Sequence, residues 1–175
     1  MGVLQELTIE GFLEELAARQ PTPGGGSVAA LSGALSAGLV SMAAMFSGNK
    51  DVSEEARTLM NTLTHLVDRD AKAFAAGDLR EATRVPLQTA KHSYAVLKLA
   101  EALLETCNPK VITDIGVAAK MAESAVKGAM LNVEVNLVSI RDEDYKQEVL
   151  KEAEEFSCSD SMARTILSNI EARLH

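Results

Sequence analysis

The chain has 175 residues, a formal charge of −8, 47% hydrophobic residues and only 3% aromatics. That length suits one domain, 1–175, with a core large enough to be stable alone, and the acidic balance argues against a nucleic-acid partner, which needs a basic face. Apolar content drawn mostly from Ala, Leu, Val and Met favours helices packed closely through small side chains.

The N-terminal stretch MGVLQELTIEGFLEELAARQ carries acids within its apolar pattern and does not resemble a signal peptide. Residues 8–19 predict a short amphipathic helix with Thr8 as N-cap. Pro21 and Pro23 end it, and Gly24, Gly25 and Gly26 form a turn. Ser27 is expected as the N-cap of a helix reaching about Phe46. This uncharged run is long enough to span a bilayer. Its net hydrophobicity is modest, however, and small residues recur at four-residue spacing, as Ala29, Gly33, Ala37 and as Ser32, Ser36. No basic cluster or second span accompanies it, so a central buried helix is favoured and no membrane partner is expected.

The turn SGNKDVS leads to a helix from Ser53 to about Ala76, closed by Gly77. The next helix is expected from near Pro86, a tolerated first-turn position, to about Thr106, with Asn108 and Pro109 breaking it. A long helix from about Asp114 to Ile140 follows, then a charged helical region from Glu143 onward. VEVNLVSI alternates like a strand but has no partner strand nearby. The expected fold is all-α, a single-domain helical bundle around a buried Ala/Gly/Ser-rich helix.

On the helix after Ser53, Ala56, Leu59, Leu63, Leu66, Val67 and Phe74 share one apolar stripe. Asp70 lies near its middle, whereas Asp68 and Arg57 point the other way. An inward carboxylate is costly unless paired or hydrogen-bonded. Asp70 is therefore either a structural ion pair or cap, or a general acid or base tuned by burial. On the long helix Lys120, Lys127, Glu134 and Arg141 mark a solvated stripe, and Asn132 and Asn136 project from the opposite side. These two amides form either a helix-packing network or a binding site. Asp114 shares their face about 27 Å away, suited to a helix cap or the far end of an elongated ligand.

The glycine run is neither a Walker motif nor a Rossmann fingerprint. It would deliver backbone N–H groups and the Ser27 hydroxyl to a helix start, which can hold a carboxylate, or it is a tight turn before a crowded helix. His65 is expected in solvent, and His92 and His175 lack triad partners by spacing. Cys107 and Cys158 lie far apart without zinc-ligand spacing, so no metal site is expected and a reduced cytoplasmic setting is the economical reading.

Three ordered blocks, PTPGGGSVAALSGALSAGLVSMA, DRDAKAF and NPKVITDIGVAAKMAESAVKGAMLNVEVNL, resemble the cyclodeaminase/cyclohydrolase family. This family comprises the cyclodeaminase domain of formiminotransferase-cyclodeaminase and stand-alone methenyltetrahydrofolate cyclohydrolases. The resemblance covers roughly Leu7 to Asp142. It implies an all-helical homodimer with a folate site near the subunit interface, a tetrahydrofolate derivative as substrate, and no metal, nicotinamide or other tightly bound cofactor. The motif residues it carries over are Pro23, Gly24, Gly25, Gly26, Ser27, Asp70, Phe74, Asp114, Asn132 and Asn136. Asp70 is the expected proton-transfer residue. Asn132 and Asn136 are expected to orient the substrate, the Gly24–Ser27 turn to hold a glutamate-tail carboxylate or line the pocket, and Arg84, Lys91 or Lys110 to meet that tail. Cyclohydrolase is the expected activity; cyclodeaminase and a non-catalytic folate-binding or structural dimer are the alternatives. One departure stands out: AAGDLREATRVPL is shorter than the corresponding family stretch, which bears on a pocket wall and on dimer packing.

Overall fold

The structure, a computed structural model, describes residues 3–174, so His175 lies outside the described residues. Seven helices follow in order: α1 Ile9–Ala17, α2 Gly25–Phe46, α3 Lys50–Ala76, α4 Leu79–Leu103, α5 Ile112–Ser139, α6 Glu143–Ala153 and α7 Ser159–Leu174. Short 3-10 turns occupy Leu4–Glu6, Pro109–Val111 and Glu154–Phe156. Polar side chains start most of them: Thr8, Asn49, Asp78 and Asp142 each accept from a backbone N–H of the helix that follows. Gly77 stops α3 in the left-handed conformation (φ 67°), where glycine carries no Cβ penalty.

α2 is the hub, packed against α3, α4 and α5. Its length and composition would suit a membrane span, but more than half of it is buried by other helices of this chain. Its serines act as staples. Ser32 donates to the Met121 carbonyl (3.0 Å), Ser36 to Ala118 (2.7 Å) and Ser41 to Ser53 (3.1 Å). Each such bond contributes about 1 kcal/mol and leaves no hydroxyl stranded. The small residues let α4 approach closely: a Cβ on Gly33 would lie 2.4 Å from Ser93 Oγ and 3.2 Å from Leu63. Ser93 Oγ is itself buried without a partner. Gly33→Ala is therefore expected to cost about 1–3 kcal/mol, with Ser93→Ala alone neutral or stabilising and the double variant recovering part of the loss. Thermal unfolding of the three proteins checks this.

Several boundaries differ from the sequence expectation. α2 starts at Gly25 with Gly24 as N-cap, which places Ser27 inside the first turn rather than at the cap. α4 begins at Leu79, because Asp78 caps it by accepting from Arg80 and Glu81, so Pro86 lies well inside the helix. α4 closes at Leu103, before the expected Thr106. The VEVNLVSI stretch is the helical end of α5, with Val133 and Leu137 buried and Val135 and Val138 exposed.

Two side chains on α3 also differ. Asp68 was expected outward but is buried, because the N-terminal segment folds back over that face and the Leu4 N–H donates to Asp68 Oδ1 at 2.6 Å. Phe74 was expected in the core stripe but is 59% exposed. α2 begins beside Asp70 and so does not extend over the Phe74 face of α3, although Ala71 and Ala73 on the other side of the same turns stay buried. Lys120 and Lys127 are exposed as expected, yet both pair with buried Glu123 (2.9 and 3.0 Å), and Lys127 reaches Asp160 to tie α5 to α7.

Candidate active site

α3 and α5 both run antiparallel to α2 and continue past its start. α3 extends from Asp70 to Ala76, about 9 Å, and α5 from Asn132 to Ser139, about 10 Å. α4 begins at the same end. The glycine-led start of α2 thus stops short of the ends of α3 and α5; Gly25 is exposed there and Asp70, Asn132 and Asn136 are half-buried around it, and this open step is the recess.

Asp70 sits at that step. A Cβ on Gly26 would fall 2.0 Å from its Oδ1 and 2.6 Å from its Cγ, so the carboxylate occupies the space that this glycine leaves. The Ser27 hydroxyl donates to Asp70 Oδ2 at 2.9 Å and also lies 3.2 Å from the Val67 carbonyl. Burial pushes the Asp70 pKa above the usual carboxylate value, while the Ser27 hydroxyl and backbone N–H pull it back only in part. The carboxylate that meets the positive end of α2 is therefore the protein's own. Exposed Gly25 is the part of the turn that remains open, whereas Pro23 is buried.

Asn132 lies on the other side of the step, its amide 3.7–3.9 Å from where a Gly25 Cβ would be. Its Nδ2 donates to the Gly128 carbonyl at 2.8 Å. Asn136 Nδ2 donates to the Ala82 carbonyl at 2.7 Å. Pro86, lacking an N–H, leaves that carbonyl without its helical partner, and Asn136 supplies one across the helix pair. Carbonyls only accept, so both amides are oriented by chemical necessity. Their NH2 groups face protein carbonyls, and the Oδ1 atoms are the acceptors left for a ligand.

Asp114 does not join this group. It lies in the first turn of α5, close enough to Cys107 to influence its thiol electrostatically. Neighbouring Asn108 bonds the Phe46 carbonyl at the far end of α2, about 32 Å from Gly25. Lys110 is at that far end too. Lys91 is engaged with Glu152 at 3.1 Å. Arg84 is exposed, only loosely paired with Glu148 at 3.8 Å, and lines a cleft of about 310 Å³ with Asp78, Arg80, Glu81, Tyr145 and Glu148. Of the tail candidates it lies at the same end of the bundle as Ala82 and Asn136, with its ion pair and its cleft directed to α6. Both cysteines are free thiols, and among the described residues no three His, Cys, Asp or Glu side chains converge as a metal site.

A carboxylate of raised pKa, held by a serine and flanked by amide acceptors, has the chemistry that proton transfer to or from a small molecule calls for. The chain belongs to the formiminotransferase-cyclodeaminase family, whose model matches residues 8–77 and 75–155. The two matched segments meet at Gly77, where α3 turns directly into α4, consistent with the short stretch noted in the sequence. The chain is 36% identical to the methenyltetrahydrofolate cyclohydrolase of Methylorubrum extorquens over 181 aligned positions, covering 84% of this chain and 87% of that protein. It is 30% identical to mouse formimidoyltransferase-cyclodeaminase, covering 97% of this chain but only 38% of the mouse protein. The solved formiminotetrahydrofolate cyclodeaminase of Thermotoga maritima superposes with a TM-score of 0.89 at 26% identity, over 98% of this chain and 100% of that one.

Proposed function

We propose that this protein is a folate one-carbon enzyme acting on a carbon–nitrogen bond of tetrahydrofolate, with methenyltetrahydrofolate cyclohydrolase as its activity. The observation that carries the chemistry is the Asp70 carboxylate seated on Gly26 with a raised pKa and a Ser27 bond. The choice of activity is supported by the Methylorubrum enzyme, which this chain matches over most of both lengths. Water attacks the cationic methenyl carbon as Asp70 takes its proton, giving a tetrahedral carbon bonded to both folate nitrogens. Asp70 then returns the proton to the departing nitrogen, the carbon–nitrogen bond breaks as the new hydroxyl gives up its proton to solvent, and formyl-tetrahydrofolate results. The carboxylate also stabilises the cationic bridge before attack. Asn132 and Asn136 Oδ1 accept from substrate N–H groups, and Arg84 meets the glutamate tail.

The likeness to the Thermotoga protein favours a second reading, cyclodeaminase. There a folate nitrogen attacks the formimino carbon, and Asp70 carries the proton which that nitrogen loses to the nitrogen that leaves as ammonia. A homodimer is part of the proposal: the recess is open on one protomer, and α2 and α5 expose Val28, Leu35, Leu131, Val135 and Val138 for a second copy to cover.

Turnover separates the readings. Catalytic loss of methenyl-tetrahydrofolate absorbance is the expected result for the purified protein. Faster ammonia release from formimino-tetrahydrofolate identifies the deaminase, and folate binding without either reaction identifies a binding module.

A further inference from the structure

Phe74 lies one helical turn beyond Asp70 on α3 and is 59% exposed, as is Phe46 (63%) at the opposite end of α2, whereas Phe12, Phe156 and Tyr145 are buried. Along α3 its exposed neighbours Lys72 and Ala75 are charged or small, so its ring is not part of a continuous apolar strip on that helix. Side chains on a helix lean toward its N-terminus and cover the preceding turn, which here is the turn bearing Asp70. Asp70 meets the start of α2 at Gly26 and Asn132 meets it at Gly25, so the turn of α3 that carries Phe74 rises beside the same helix start as Asn132.

We propose that Phe74 is a stacking platform that holds one of the flat conjugated rings flanking the reacting carbon, beside the Asp70 carboxylate. This rests on the folate reading above. Stacking orients a ring without taking part in bond making, so its loss acts on KM rather than on kcat. Phe74 is a positioning residue that reads the ring face while the asparagine oxygens read its edge.

The chain contains no tryptophan, so Phe74→Trp places a single indole at the site. Its fluorescence is expected to be quenched saturably by tetrahydrofolate. Phe74→Ala and Phe74→Leu are expected to raise KM for methenyl-tetrahydrofolate about tenfold, and Phe74→Tyr to restore it. A Leu variant with unchanged KM overturns the proposal, as does an unquenched Trp variant that still turns over. So does an Ala variant that dissociates the oligomer without changing KM. Absence of both turnover and folate binding in the unsubstituted protein removes the folate reading, and this proposal with it.

Discussion

Asp70→Asn is expected to lower kcat by about 10²–10⁴-fold while leaving the protein folded. The amide keeps the shape and accepts from Ser27, but it can neither take a proton from water nor return one. Stability is expected within about 1 kcal/mol of the parent, because the cost of burying the charge and the bonds from Ser27 oppose each other in the native carboxylate. The pH profile gives the sharper test. As the proton acceptor, Asp70 must be ionised, so kcat/KM is expected to fall on acidification with a limb above the usual carboxylate value, since burial raises its pKa. Ser27→Ala removes a bond that favours the ionised form, so the limb moves further up in pH. Linkage follows the same sign. The stability due to Asp70 is present below its unfolded pKa and is lost as pH rises through its raised folded value, a slope absent from Asp70→Asn. A limb that ignores both substitutions removes Asp70 from the mechanism.

Gly26→Ala is expected to be the most damaging single-methyl change at the site, whereas Gly25→Ala one residue earlier is mild. In an ordinary helix each would be favoured by about 0.5–1 kcal/mol. At position 26 the new Cβ would sit 2.0 Å from Asp70 Oδ1, so the carboxylate must leave the start of α2 and the Ser27 bond with it. The clash wins over propensity: stability falls by about 1–3 kcal/mol, and the rate falls toward that of Asp70→Asn. At position 25 the nearest atom is Asn132 Nδ2 at 3.7 Å, an ordinary contact. That variant is expected to unfold no earlier than the parent and to lose chiefly in KM, because the methyl crowds the asparagine amide. Thermal unfolding and steady-state kinetics on the pair distinguish a steric cradle from a merely flexible turn. Equal effects at the two positions would mean that the spacing of Gly26 from Asp70 is not what matters.

Much of this site was legible as pattern. The Asp70 position in an apolar stripe pointed it inward, and the asparagines fell on the face of α5 opposite its charged stripe. What the pattern could not supply was the level at which α2 begins. Phe74 reads as core because its stripe is core, yet α2 starts beside Asp70 and leaves Phe74 itself uncovered. Asp68 reads as solvent-facing because its helix face is polar, yet residue 4 returns to it across 64 positions of sequence. Pro86 carries a signal beyond that of a helix start. A proline inside a helix also announces a stranded carbonyl four residues earlier, and Asn136 answers it.

The sequence by itself determined the helices, the buried small-residue spine and the residue types at the site, because periodicity and capping act within a few residues of chain. The tertiary structure alone decided which atoms meet: the carboxylate on Gly26, the hydroxyl of Ser27 on Asp70, the amide of Asn136 on Ala82. Those contacts depend on where helices distant in sequence end relative to one another. Such offsets are set by close packing across the whole bundle, so no local pattern encodes them.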